Sequence, residues 1–172
     1  VMQNPLLSAA EETKDKEWRT FQANAGATVK LLKGLTFRNT TGMRYQTRRN
    51  DVFYGDQSMT AKRSSINGSI TNIESSSFQT SNVLTYNWYN VTAMLGHEYV
   101  TKWTRNFMAG ANNFPNDEIG LGDLSLGTPI TPTSSENYDD KLLSFFARVN
   151  YNLMDKYLFT ASVRADGSSK FG

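Results

Sequence analysis

Apolar and polar residues alternate with a period of two over several long segments of the chain. From Phe145 every second residue is apolar or aromatic, and after Met154-Asp155-Lys156 the alternation resumes at Tyr157. Side chains two residues apart lie on the same face of a β-strand, so the pattern predicts strands with one apolar face and one polar face. The rest of the sequence must then indicate whether the apolar face contacts a protein core or lipid.

The alternation predicts three hairpins, at residues 18–46, 76–101 and 141–167. Each hairpin has a turn whose length keeps the two apolar faces in register, because a slip of one residue would reverse both faces. The predicted turns are Leu32-Lys33-Gly34, Tyr89-Asn90 and Met154-Asp155-Lys156. The third turn pairs Val149 with Ala161 and Tyr151 with Phe159.

Two polar segments rich in Gly, Asn, Asp and Ser connect the hairpins, at residues 47–75 and 102–140. Their length and composition predict long exposed loops. The charged stretch from Glu11 to Glu17 also predicts a loop or a short helix.

The strict succession of long strands, short turns and long loops is typical of an outer-membrane β-barrel. The predicted strands have about 10 to 13 residues, roughly twice the usual length. Aromatic residues fall near the strand ends, where Trp and Tyr favour the membrane interface; they are Trp18, Phe21, Tyr45, Tyr99 and Trp103 at one rim and Trp88, Tyr89, Tyr151 and Tyr157 at the other. Six strands are too few to close a barrel, so we expect an arc of one.

The composition of the chain excludes several classes of protein. The 172 residues include no cysteine, which excludes disulfide scaffolds and thiol catalysis, and the net charge of +2 gives no basic stripe for nucleic acid. No apolar run reaches the length of about 18 residues that a transmembrane helix needs. The remaining alternative to a barrel wall is a soluble β-sheet module that binds carbohydrate or mediates adhesion.

The segment from Leu142 to Gly172, LLSFFARVNYNLMDKYLFTASVRADGSSKFG, closely resembles a signature of the SusC/RagA family of TonB-dependent outer-membrane transporters. LKGLTFRNTTG at residues 32–42, LTYN at 84–87 and AMLGHE at 93–98 are similar to earlier hairpins of that family. The likeness extends in order from about Leu31 to Gly172.

The resemblance implies an all-β fold in which antiparallel up-and-down hairpins form part of a large transmembrane barrel with long extracellular loops. Residues 1–172 would then be a partial barrel domain without the plug domain. It also implies import of oligosaccharides or peptide fragments across the cell outer membrane. The implied partners are a SusD-like surface lipoprotein, outer-membrane lipid, and TonB, which acts through an N-terminal motif that this segment lacks. The segment would not transport alone.

Candidate site residues lie in two places. Arg38, Arg148, Arg164 and Asp166 occupy polar-face positions and are expected to face an aqueous lumen, because charges are costly in a dry environment. The aromatic residues Phe53, Tyr54 and Phe114 lie in the predicted loops, where they could stack on substrate or on the lid, or simply pack the loops.

Enzymatic chemistry is not expected. The single histidine, His97, lies at an outward position, and no zinc, phosphate-loop or nucleophile-elbow motif occurs. The oxygen-bearing residues Asn116, Asp117, Glu118 and Asp123 do not have calcium-loop spacing, so an ordinary loop is favoured over a metal site. We expect no catalytic residue, no cofactor and no metal.

Overall fold

The computed structural model describes residues 5–169, apart from the side chains of Thr131 and of residues 137–139. Its main element is one sheet of six strands in sequential order. The strands are β1 (Glu12–Leu32), β2 (Leu35–Tyr54), β3 (Asn67–Trp88), β4 (Val91–Asn112), β5 (Thr128–Leu153) and β6 (Tyr157–Ser168). Two short helices, α1 (Pro5–Ala10) and α2 (Met59–Arg63), and 3-10 turns at Gly120–Gly122 and Leu124–Leu126 complete the fold. No helix within residues 5–169 is long and apolar enough to cross a membrane.

Three tight turns connect the paired strands, the second and third with the predicted residues and the first with Lys33 and Gly34 alone, because Leu32 still belongs to β1. Gly34 has φ of +80°, Tyr89 of +47°, and Met154 and Asp155 of +55° and +56°. Glycine adopts this left-handed conformation without steric cost, whereas Tyr89 and Met154 adopt it against their usual preference. The turns are also linked, because the Asn87 amide donates to the Gly34 carbonyl at 2.8 Å and the Asn152 amide to the Asn90 carbonyl at 2.9 Å.

The strands are about twice as long as the alternation predicts. They have 20 to 26 residues, except β6 with 12, and they extend into both segments predicted as long loops. The connection between β2 and β3 covers only residues 55–66, and that between β4 and β5 only residues 113–127. Pairing with neighbouring strands satisfies the backbone of these polar segments, so composition alone misjudged them as loops.

The charged stretch near the amino end is also a strand and not a loop or helix. Within β1, Lys14 Nζ donates to Glu12 at 2.7 Å and Arg19 Nε to Glu17 at 2.6 Å. Residues two apart lie on one face of a strand, so opposite charges at this spacing pair. Alternation of charge sign along one face therefore accompanies extended backbone here.

The chain divides into two compact units, described separately below. Unit 1 comprises residues 5–20, 46–75 and 104–136, and unit 2 comprises residues 21–45, 76–103 and 137–169. In unit 1, Phe53, Ala111 and Phe114 form a small buried core against which Ile66, Leu121 and Leu124 pack. In unit 2, none of the described apolar side chains is buried.

Helix α2 of unit 1 begins at a serine cap. The Oγ of the fully buried Ser58 accepts a hydrogen bond from the Ala61 amide at 3.0 Å, which satisfies one of the free donors of the first turn. Ser8 of α1, also buried, accepts from the Met59 amide at 2.9 Å. Ser58 thus caps α2, and Ser8 connects α1 to α2.

Candidate functional site: the two faces of unit 2

The pairing of β5 with β6 separates apolar from polar side chains. Val149 lies opposite Ala161 and Tyr151 opposite Phe159, whereas Arg148 lies opposite Ser162 and Phe146 opposite Arg164. Directly opposite residues of an antiparallel pair share a face. One face therefore carries Val149, Tyr151 and their partners, and we name it the apolar face; the other carries the two arginines, and we name it the charged face.

The apolar face is open to its surroundings. Phe159 is 57% and Val163 68% exposed, although both are large apolar side chains. Other exposed apolar side chains of unit 2 include Phe21, Val29, Leu31, Tyr86, Leu95, Phe145, Val149 and Tyr157. Soluble proteins rarely expose a contiguous apolar surface larger than a few hundred Å² unless it binds something.

Aromatic residues concentrate near the tight turn between β3 and β4. Trp88 and Tyr89 are 58% and 92% exposed, and their rings meet edge to face with centroids 5.5 Å apart. Such amphipathic rings at strand ends are typical of the boundary between hydrocarbon and water.

A polar cluster interrupts the apolar pattern on β2, β3 and β4. Asn39 Nδ2 donates to Asn82 Oδ1 at 2.7 Å and to Thr80 Oγ1 at 3.2 Å. Thr41 Oγ1 lies 3.0 Å from the Thr80 hydroxyl, and Asn82 Nδ2 lies 3.2 Å from His97 Nε2. All five side chains are half-buried and hydrogen-bond to one another, while His97 Nδ1 has no partner among the described residues. The alternation placed them on the apolar face but gave no sign that they would meet.

On the charged face, Arg164 is held by two carboxylates. Its Nη2 lies 2.8 Å from Glu98 Oε2, and its Nε lies 2.9 Å from Asp166 Oδ1. The guanidinium also lies over the Phe146 ring, 5.7 Å from the centroid. A Cβ at Gly96 would overlap the Phe146 ring, so the absence of a side chain there allows the ring to approach β4 closely. The sequence indicated Arg164 and Asp166 but not Glu98, which is 66 residues away from Arg164.

The other polar-face candidates are solvent-exposed. Arg148 lies on β5 and lines a cavity of about 380 Å³ together with Arg164 and Glu98. Arg38 is exposed on β2. Nearby on β1 and β2, Arg44 Nη2 donates to Gln22 Oε1 at 3.0 Å beside a second, amide-lined cavity of about 260 Å³.

The sequence left two alternatives open for the loop aromatics, contact with substrate or lid and packing of the loops, and Phe53 and Phe114 are packed. Phe53 and Phe114 are each 6% exposed and pack edge to face with centroids 5.7 Å apart in the core of unit 1. Neither ring is open to a ligand, because each is covered by the other and by the surrounding apolar side chains. Tyr54 is half-buried, with Lys14 Nζ 5.3 Å from its ring centroid.

Unit 1 also holds a pair of carboxyl groups that share a hydrogen bond. The hydrogen bond to Asp117 raises the pKa of Glu11, while the pKa of Asp117 is lowered first by the hydrogen bond from the Asp56 amide and then by that from Glu11. That amide lies 3.2 Å from Asp117 Oδ2. Of the two carboxyl groups, Glu11 therefore keeps its proton to the higher pH. The pair lies beside Gly55, whose amide donates to the Glu11 carbonyl at 2.8 Å.

Polar side chains of the connection between β4 and β5 accept hydrogen bonds from nearby backbone amides. Asp123 Oδ1 accepts from the Ser125 amide at 2.9 Å and from its hydroxyl, which lowers the pKa of Asp123. Asn116 Oδ1 accepts from the Glu118 amide at 3.3 Å. In the part of the chain that the structure describes, no group of three or more acidic, histidine or cysteine side chains is arranged to hold a metal ion.

A third cavity lies within unit 1. It has a volume of about 450 Å³ and is lined by Asn72, Glu74, Arg105, Phe107, Ser134 and Glu136. Arg105 Nε donates to Glu136 Oε1 at 2.6 Å across β4 and β5. The sequence gave no indication of this cavity, because its lining comes from segments predicted as loops.

Comparison with known proteins decides between a soluble sheet and a barrel wall. Two TonB-dependent receptors of Formosa agariphila, P39 and P3, match 98% of this chain at 30% and 28% identity. Solved structures of the RagAB peptide importer match 95% of it, with TM-scores of 0.82 and 0.78 and 26% identity. The chain belongs to the SusC/RagA family of TonB-dependent receptors. A stretch of 30 residues is 57% identical to the receptor SusC of Bacteroides thetaiotaomicron.

The SusC/RagA segment covers only part of its relatives. It spans 17% of the length of P39 and of P3, and 19% of the matched importer chain. No family model matches the chain. The predicted fold class is confirmed: the hairpins run up and down in an open antiparallel sheet, as in the barrels of these outer-membrane transporters. The final residues of the signature, 170–172, lie outside the described residues.

Proposed function

We propose that this chain forms part of the wall of an outer-membrane TonB-dependent transporter. In this proposal the apolar face of unit 2 contacts hydrocarbon, and the charged face lines an aqueous lumen. The exposure of Phe159 and Val163 on one face of the β5–β6 pair, with two arginines on the other face, carries the proposal. Exposure to water is unfavourable for Phe159 and Val163, and exposure to hydrocarbon is unfavourable for Arg148 and Arg164.

The same assignment defines the role of the whole receptor. The transporter containing this segment imports oligosaccharides or peptide fragments, with a SusD-like lipoprotein at the cell surface and TonB as the source of energy. The relatives' names support this role, since they are receptors and a peptide importer. The segment itself is structural, and it catalyses no reaction.

The test compares one substitution on each face of β6. In the full-length receptor, we expect Val163→Arg to lower stability in phospholipid vesicles by about 2–4 kcal/mol, the cost of a cation facing the middle of a bilayer. Thr160→Arg, on the charged face of the same strand, is the matched control and should change stability by less than about 1 kcal/mol. Urea unfolding and heat-dependent gel migration measure both.

The two variants also separate this function from that of a soluble sheet module. Equal losses for both variants, or a larger loss for Thr160→Arg, would contradict the assignment of the faces. A soluble module would instead tolerate arginine at Val163, which is already 68% exposed.

A further inference from the structure

Two arginines line the cavity on the charged face of unit 2. The cavity has a volume of about 380 Å³ and lies over β4, β5 and β6. Its charged lining residues are Glu98, Arg148 and Arg164, Asp166 adds a second carboxylate beside Arg164, and Met94 and Phe146 contribute apolar surface.

The two arginines of this cavity differ in their ion-pair partners. Arg164 is fixed by Glu98, Asp166 and the Phe146 ring, so its charge is compensated and its geometry set. Arg148 has no ion-pair partner among the side chains that the structure describes. The cavity therefore contains one arginine held by ion pairs, Arg164, and one guanidinium whose charge is not compensated, that of Arg148.

We propose that this cavity binds a carboxylate, held by Arg148. A guanidinium presents a planar pair of donors that matches the two oxygens of a carboxylate. Phe146 and Met94 exclude water from one side, which strengthens the charge interaction. The carboxylate belongs either to a solute passing along the wall or to another segment of the same receptor. The site rests on the proposed function, because it requires the charged face to line an aqueous lumen.

A cysteine reporter measures the charge of the cavity without knowledge of the cargo. Ser162 lies directly opposite Arg148 and lines the cavity, and the 172 residues contain no cysteine. Ser162→Cys is introduced into the full-length receptor in outer-membrane vesicles, on a background without other reactive cysteines. Its labelling rates are measured with an anionic sulfonatoethyl and a cationic trimethylammonioethyl methanethiosulfonate, each relative to the reagent's rate with a free thiol.

We expect the anionic reagent to react several-fold faster than the cationic one, because the guanidinium of Arg148 attracts the first reagent and repels the second. Arg148→Gln should abolish this preference. Arg148→Lys should keep it but lose the protection that glutarate gives against labelling, compared with sodium chloride of equal ionic strength. Protection by glutarate with Arg148 present identifies a solute site.

The second source of the carboxylate gives a different result. If the receptor's own carboxylate occupies the cavity, both reagents react slowly with Arg148 present and faster after Arg148→Gln. A reagent ratio unaffected by Arg148→Gln overturns the site, and so does a preference for anions without glutarate protection.

Thr160→Cys tests the underlying function separately. Thr160 lies on the charged face opposite Asn150 and outside the cavity lining. It should react with both reagents at similar normalised rates. If neither reagent reaches Thr160→Cys, the charged face does not line water and the proposed function itself fails; if both do, failure at Ser162→Cys concerns the carboxylate site alone.

Discussion

The two units share the same strands, but apolar side chains are buried in the core of unit 1 and exposed in unit 2. In unit 1, Phe53 and Phe114 are each 6% exposed and form the centre of a small core. In unit 2, Phe159 and Val163 are 57% and 68% exposed, and no described apolar side chain is buried. Unit 1 thus buries apolar side chains within itself, whereas in the proposed function unit 2 places its apolar side chains against hydrocarbon.

This difference indicates where the hydrophobic free energy of each unit originates. A buried phenylalanine contributes by leaving water for the protein interior, at about 25 cal/mol per Å² of apolar surface. An outward-facing apolar residue contributes only when its surroundings are themselves apolar, as in a bilayer. The same substitution should therefore have effects of different origin in the two units, and the predictions below exploit that difference in order of decreasing effect.

The largest effect is expected in the core of unit 1. Phe114→Ala should destabilise the local structure by about 3–5 kcal/mol, because it removes buried apolar surface and leaves a cavity beside Phe53. Native-state hydrogen exchange of the full-length receptor measures this as lost protection of the amides of β2 and β4 around the core. Ile119→Ala, at an apolar side chain of unit 1 that is 56% exposed, is the control and should have little effect.

Unchanged amide protection in unit 1 would contradict the difference between the two units. If Phe114→Ala left those amides protected, the core would not stabilise unit 1, and the two units would not differ in the source of their stability.

The polar cluster of unit 2 provides a smaller and more specific effect. Asn82→Leu should cost about 1–3 kcal/mol, because it leaves Asn39 and His97 without their partner on an apolar face. His97→Leu alone should cost less, since Asn82 keeps its bond from Asn39. The double variant measures the coupling between Asn82 and His97, expected at about 0.5–2 kcal/mol.

Urea unfolding in vesicles gives all three values for this cycle. Additive effects of Asn82→Leu and His97→Leu would contradict the network. A full loss of folding from His97→Leu alone would instead indicate that this histidine has partners beyond the cluster.

The sequence predicted much of the fold because alternation and turn length are local signals. The register of β5 and β6, with Val149 opposite Ala161, follows from a three-residue turn and two apolar faces. The full strand lengths were not predictable, because pairing between neighbouring strands, and not composition, keeps the polar segments extended. The charged stretch at Glu12–Glu17 was misjudged for the same reason.

The candidate sites were less predictable because they depend on contacts between distant segments. Arg164 and Asp166 are two residues apart, so their ion pair could be proposed from one strand, whereas Glu98 reaches Arg164 across the intervening strand β5. The burial of Phe53 and Phe114 depends on β2 meeting the connection after β4. An exposed aromatic and a core aromatic have the same sequence signal in a polar segment.

The smallest expected effect concerns pH and the carboxyl pair of unit 1. The pKa of Glu11 is raised, so its contribution is fully present below its ordinary pKa of about 4.3 and is lost as pH rises through the raised value. The pKa of Asp117 is lowered, so its contribution to stability is present above about 3.9 and is lost only as pH falls through the lowered value.

Between the two pKa values one proton joins the pair. Raising pH from about 4.3, the ordinary pKa of a glutamate, through the raised pKa of Glu11 should therefore loosen the segment around Gly55, seen as a few-fold loss of its amide protection after correction for intrinsic exchange. Glu11→Gln supplies a permanent donor and should remove the pH dependence, whereas Glu118→Gln should preserve it. Retention of the full dependence in Glu11→Gln would show that another group titrates, and unit 1 would then be held at Gly55 by its backbone bonds alone.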